Sequence, residues 1–132
     1  MTTQNLLIVD DETEILESYE SYFSRRGFTV STAISGNTAL QKVRECKQEI
    51  ILSDLNMCDG SGLELMRNMR RENLMPEIFV LFSGDDSVIL YEATDPRPDL
   101  LLIKPLPPSA ILKSLQELIE QKKNAEQSPS NP

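Results

Sequence analysis

At 132 residues, with 39% hydrophobic and 26% charged side chains, the chain fits one domain around a single core. Its formal charge of −8 opposes nucleic-acid binding, which needs a basic patch to release counterions, and equally opposes docking on an anionic membrane. With no histidine, and with Cys46 and Cys58 at no metal-binding spacing, a zinc site, a histidine-based triad and a disulfide framework are excluded.

In chain order, Leu6-Leu7-Ile8-Val9 reads as a first strand, followed by a helix over residues 12–26. Asp11 and Glu14 resemble a capping box, Ile15, Leu16, Tyr19 and Phe23 form its apolar face, and Gly27 ends it. Residues 28–32 alternate and suit a strand near a sheet edge. A second helix over 37–46 buries Leu40 and Val43. Ile50-Ile51-Leu52-Ser53 is a third strand, and a helix over 62–72 presents Leu63, Met66 and Met69. Ile78 to Phe82 forms a fourth strand, followed by a short helical segment over 86–94. Asp95-Pro96-Arg97-Pro98 must end that segment, because proline cannot continue a helix. Leu100-Leu101-Leu102-Ile103 is the fifth strand. The last helix starts near Pro108, runs to about Lys122, and buries Ile111, Leu112, Leu115, Leu118 and Ile119. These elements define a folded domain over residues 5–122 and a disordered polar tail over 123–132.

Near-continuous apolar strands alternating with helices predict a parallel sheet covered on both faces. Right-handed crossovers then favour a flavodoxin-like (βα)5 doubly wound sandwich, with strand order 2-1-3-4-5. No apolar stretch approaches the roughly 20 residues that span a bilayer, and the first residues lack a signal-peptide pattern. A cytoplasmic location without membrane partners is the expectation.

Four of the apolar runs end in polar residues suited to phosphate chemistry: Asp10-Asp11, Asp54, Ser83 and Lys104-Pro105. Each has a bland role available, as a helix cap, a solvated acid, a turn serine or a surface lysine. Their arrival together at the carboxyl edge of a parallel sheet, where ligands of such folds bind, points to a shared site. Asp10, Asp11 and Asp54, with a backbone carbonyl near Asn56, form an oxygen donor set suited to Mg2+ or Mn2+. A carboxylate can act as nucleophile toward phosphorus, and phosphoryl transfer needs charge neutralisation more than acid–base groups. Lys104 supplies positive charge and Ser83 a hydrogen-bond donor.

Val9-Asp10-Asp11-Glu12, Asp54-Leu55-Asn56-Met57, Asp59-Gly60-Ser61-Gly62, Ser83-Gly84 and Lys104-Pro105 closely resemble the motifs of receiver domains of two-component response regulators. The order and spacing match over residues 5–121 and suit a stand-alone, chemotaxis-type receiver. The resemblance implies that Asp54 accepts a phosphoryl group from a sensor histidine kinase or histidine phosphotransfer protein. It implies that Asp10 and Asp11 hold Mg2+, that Lys104 contacts the phosphoryl group, and that Ser83 reports its arrival to a downstream protein. It also implies a cis Lys104–Pro105 bond and positive φ at Gly60 and Gly62.

The chain departs from the family at its output side. Leu101 stands where the family usually has tyrosine or phenylalanine, so ring burial cannot carry the signal there. Leu106 replaces a frequent aromatic after Lys-Pro, Cys58 replaces a frequent proline, and Asp95-Pro96-Arg97-Pro98 replaces a Gly-Ala segment. Val88 and Leu90, with Leu101 and Leu106, mark a candidate interface. Asn56 and Asp85 occupy positions that tune hydrolysis of the acyl phosphate in the family, which predicts a short-lived phosphoryl group. Two other functions compete: a phosphorylation-independent scaffold with a receiver fold, and a small phosphohydrolase. The second usually wants an acid where this chain has Asn56.

Overall fold

The computed structural model describes residues 4–57, 59–84 and 97–127. In chain order these contain β1 (Asn5–Val9), α1 (Thr13–Ser24), β2 (Thr29–Ala33), α2 (Gly36–Glu45) and β3 (Ile50–Asp54). There follow α3 (Gly62–Arg71), β4 (Ile78–Ser83), β5 (Leu100–Ile103) and α4 (Pro108–Gln127). The five strands form one parallel sheet in the order β2-β1-β3-β4-β5, as expected of the doubly wound fold. The helical segment expected over 86–94, with Val88 and Leu90, lies outside the described residues, as do Cys58 and Asp85.

Side chains alternate between the faces of the sheet, and the two faces bury two clusters. Leu7, Val9, Ile51, Phe79 and Leu81 pack with Leu40 and Val43 of α2 and Met66 and Met69 of α3. Leu6, Ile8, Leu52, Val80 and Phe82 pack with Leu16 and Phe23 of α1 and Ile111 and Leu115 of α4. Burying each large apolar side chain contributes about 1.5–3 kcal/mol, so the fully buried central strands carry much of the fold's stabilisation. Among the described residues no helix is long and apolar enough to cross a membrane.

Helix ends depart from expectation for local reasons. The N-cap of α1 is Glu12, whose side chain makes no cap hydrogen bond. The cap therefore falls one residue after Asp11, and Asp10 Oδ1 accepts from the Glu12 N–H at 2.9 Å. At the other end Gly27, at φ +94°, donates to the Ser24 carbonyl, and the Phe28 N–H donates to the Phe23 carbonyl at 3.2 Å. That is the hydrogen-bond pair of a Schellman turn, with the rings of Phe23 and Phe28 in edge contact at 5.8 Å. Phe28 therefore closes the helix, and β2 starts one residue later than expected. Asn73, at φ 64°, closes α3 in the same way, with the Leu74 N–H on the Met69 carbonyl at 2.7 Å. The last helix runs five residues past Lys122 to Gln127, taking in residues 123–127 that were expected in the polar tail.

Candidate functional site

Four strands deliver polar groups to one edge, and backbone pairing fixes each. Asp10 follows β1 and donates its N–H to the Ala33 carbonyl at 3.1 Å, which continues the pairing with β2. Asp54 is the last residue of β3 and stands level with Phe82 of β4. Ser83 ends β4, is fully buried, and its carbonyl accepts from the Lys104 N–H at 2.8 Å. Lys104 follows β5, and the Lys104–Pro105 bond is cis, as the resemblance implied.

The side chains meet as a result. Lys104 Nζ lies 3.0 Å from Asp10 Oδ2 and 3.2 Å from Asp54 Oδ2, donating to both. Asp10 and Asp54 are buried, whereas Asp11 is exposed, and carboxylate oxygens of all three lie within 4.8 Å of one another. The Asn56 N–H donates to Asp54 Oδ1 at 3.3 Å, while the Asn56 residue itself is exposed. Asp10, Asp11, Asp54, Ser83, Lys104 and Asn56 thus share one edge.

The electrostatics follow from burial. Removal from water pushes the Asp54 carboxyl above its ordinary range; Lys104 pulls it down, and Asp10 pushes it up again. Burial alone would lower the Lys104 ammonium, but the hydrogen bond to Asp10 and the charges of Asp54 and Asp10 hold it above its ordinary value. Three ionised carboxylates against one ammonium leave two negative charges uncompensated within this group. An all-oxygen donor set with that excess fits a hard divalent cation.

The loop after Asp54 is held by close backbone approaches. Gly60 adopts φ +84°, as expected, but Gly62 has no positive φ. Its requirement is steric: a Cβ there would stand 2.6 Å from the Asp54 carbonyl oxygen and 2.6 Å from Leu81 Cδ2. A Cβ on Gly36 would stand 2.6 Å from the Gly60 carbonyl oxygen, and the Gly36 N–H donates to the Asp59 carbonyl at 3.0 Å. Asn37 Nδ2 adds a hydrogen bond to Asp59 Oδ1 at 2.6 Å. The start of α2 thereby braces the loop that follows β3.

Leu101 is half-buried against the α2–α3 side of the sheet, and Leu106 against the α1–α4 side. Sequence reasoning missed Gly36, and it read Tyr19 only as part of an apolar helix face. Tyr19 does join that core, but its hydroxyl donates to the Leu106 carbonyl at 3.3 Å. A tyrosine on an otherwise apolar face, whose hydroxyl needs a partner when buried, was the available signal.

Comparison with known proteins agrees with this fold. Residues 6–116 match the family described as response regulator receiver domain. Among curated relatives, the transcriptional regulatory protein ResD of Bacillus subtilis (strain 168) is 26% identical over 116 residues, 88% of this chain and 48% of ResD. Response regulator SaeR of Staphylococcus aureus (strain USA300) is 27% identical over 126 residues, 95% of this chain and 54% of SaeR. The chain therefore spans about half the length of these relatives. Among solved structures, the chemotaxis response regulator CheY4 of Vibrio cholerae superposes with a TM-score of 0.79 at 27% identity, covering 88% of this chain and 98% of CheY4.

Proposed function

We infer the function of this chain from its family: it belongs to the response regulator receiver domains. We propose that it is a phosphorylation-controlled signalling switch whose acceptor is Asp54. The observation that carries this reading is the Lys104 ammonium shared between Asp10 and Asp54 at the carboxyl edge of the sheet. The donor is the phosphohistidine of a sensor histidine kinase or of a histidine phosphotransfer protein. An Asp54 oxygen forms a bond to phosphorus while the phosphorus–nitrogen bond of the donor breaks, leaving an acyl phosphate on Asp54 and a free imidazole on the donor. Lys104 stabilises the charge that builds on the phosphoryl oxygens, and the Ser83 hydroxyl donates a hydrogen bond to the transferred group. Asp10, Asp11 and Asp54, with the Asn56 carbonyl, would hold Mg2+ or Mn2+, which when bound supplies further charge neutralisation at those oxygens. Asn56 and Asp85 orient water for hydrolysis, which ends the signal. The modified domain, in the cytoplasm, favours a second arrangement that a downstream protein reads through Leu101 and Leu106.

Intact-protein mass after brief incubation with acetyl phosphate and Mg2+, beside Asp54→Asn, tests the proposal. One metal-dependent phosphoryl group, absent from the variant, is expected, with loss over minutes once the donor is removed. No adduct together with no Mg2+ binding would favour a phosphorylation-independent scaffold instead.

A further inference from the structure

Tyr19 contacts residues close in sequence to both Ser83 and Lys104. On one side it meets the ring of Phe82 edge-on, with centroids 6.4 Å apart, and Phe82 is both the neighbour of Ser83 and the register partner of Asp54. On the other side its hydroxyl donates to the carbonyl of Leu106, two residues beyond Lys104. Its ring also meets Phe23 edge-on at 6.3 Å, so α1 holds it from behind. Burial raises the phenol's pKa, while the nearby Lys104 charge lowers it and that of Asp10 raises it, which places the ring within electrostatic reach of the site.

Lys104 has one backbone tether, to the Ser83 carbonyl, before the chain turns through Pro105 to Leu106. The Tyr19 hydroxyl is a second tether, on the far side of that turn. We propose that Tyr19 is a positioning residue for Lys104: it fixes the Lys104-Pro105-Leu106 turn to α1 and so holds the ammonium between Asp10 and Asp54. An aromatic ring thus flanks the site from the α1–α4 face of the sheet, whereas Leu101 lies on the other face. The inference rests on the acceptor role proposed for Asp54 only in its second half, because the tether itself is a property of the unmodified chain.

The test uses Tyr19→Phe, which keeps the ring and removes the hydroxyl, in two measurements. In NMR spectra of the unmodified chain, the Leu106 carbonyl carbon and the Lys104 side-chain signals should both shift, with the thermal midpoint close to wild type. A Lys104 side chain whose signals do not move overturns the proposal. In rapid-sampling mass spectrometry with acetyl phosphate and Mg2+, Asp54 should be modified about 10-fold more slowly than in wild type, since small misplacements of a catalytic group slow a reaction by that order or more. An unchanged rate would overturn the positioning role even if the spectra shift. Absence of any adduct on wild type together with no Mg2+ binding would refute the acceptor role of Asp54, and the spectra would still decide the tether.

Discussion

Replacing Gly62 with alanine isolates the contact that seats the start of α3 against β3. The new Cβ would stand 2.6 Å from the Asp54 carbonyl oxygen and 2.6 Å from Leu81 Cδ2, with Ser53 Oγ at 3.1 Å. Ordinary contact begins at 3.4 Å, so a displacement of about 0.8 Å is needed (3.4 − 2.6). Leu81 is buried in the core, and the Asp54 carbonyl sits at the end of a central strand and accepts from Ser53 Oγ at 2.9 Å. The first turn of α3 must therefore move outward, stretching the 3.0 Å hydrogen bond from the Gly62 N–H to the Leu55 carbonyl. Overpacking costs about 1–3 kcal/mol and the weakened hydrogen bond about 1 kcal/mol, against at most about 1 kcal/mol gained from the better helix propensity of alanine. The net expectation is a loss of about 1–3 kcal/mol by urea denaturation. Gly84→Ala, with nothing within 4 Å of its Cβ among the described residues, serves as the control and should change stability by less than about 0.5 kcal/mol. Equal stability of Gly62→Ala and Gly84→Ala would show that close backbone approach does not seat this loop.

Asp99 accepts from the Phe79 N–H at 2.8 Å, so Asp99→Ala should cost about 1–3 kcal/mol in denaturation by stranding that amide, whereas Lys122→Ala should cost under about 1 kcal/mol because its ion pair with Asp99 is half-exposed. Lys104→Met removes the ammonium shared by Asp10 and Asp54, and acyl phosphate formation, followed by mass, should fall by about 100-fold. The hydrogen bond from Arg44 holds the Glu72 carboxyl below the usual carboxylate range. Its contribution to stability is therefore present above the unfolded-state pKa of Glu72 and is lost as pH falls through the lowered folded-state value. NMR titration should find Glu72 low in wild type and returned toward its ordinary value in Arg44→Ala.

The fold was legible because the strands are short, nearly unbroken apolar runs closed by polar residues, and two-sided burial leaves few ways to arrange such runs. The polar edge of the site was legible for the same reason: Asp10, Asp54, Ser83 and Lys104 sit within one residue of the strand ends, so the sheet aligns them without help from loops. What escaped depends on contacts that periodicity does not encode. The approach of Gly36 to Gly60 joins two loops that sequence separates by a helix and a strand. The Asp11–Glu14 spacing suggests Asp11 as the cap, yet α1 has its N-cap at Glu12, and Asp10 is the carboxylate that accepts from the Glu12 N–H.

The end of α4 shows the limit of composition as a guide. Residues after Lys122 are polar and were expected to be disordered, yet Lys123, Ala125, Glu126 and Gln127 are all good helix formers, and no glycine or proline intervenes before Pro129. A helix already nucleated by the buried Ile111 and Leu115 propagates through such residues at little cost, since only nucleation is strongly unfavourable. Polarity tells which side chains prefer water, and it does not by itself end a helix. The same distinction separates the two roles of Tyr19. Its ring obeys the helical apolar pattern and was found by it, whereas its hydroxyl answers to a carbonyl 87 residues away, which only the folded chain brings within reach.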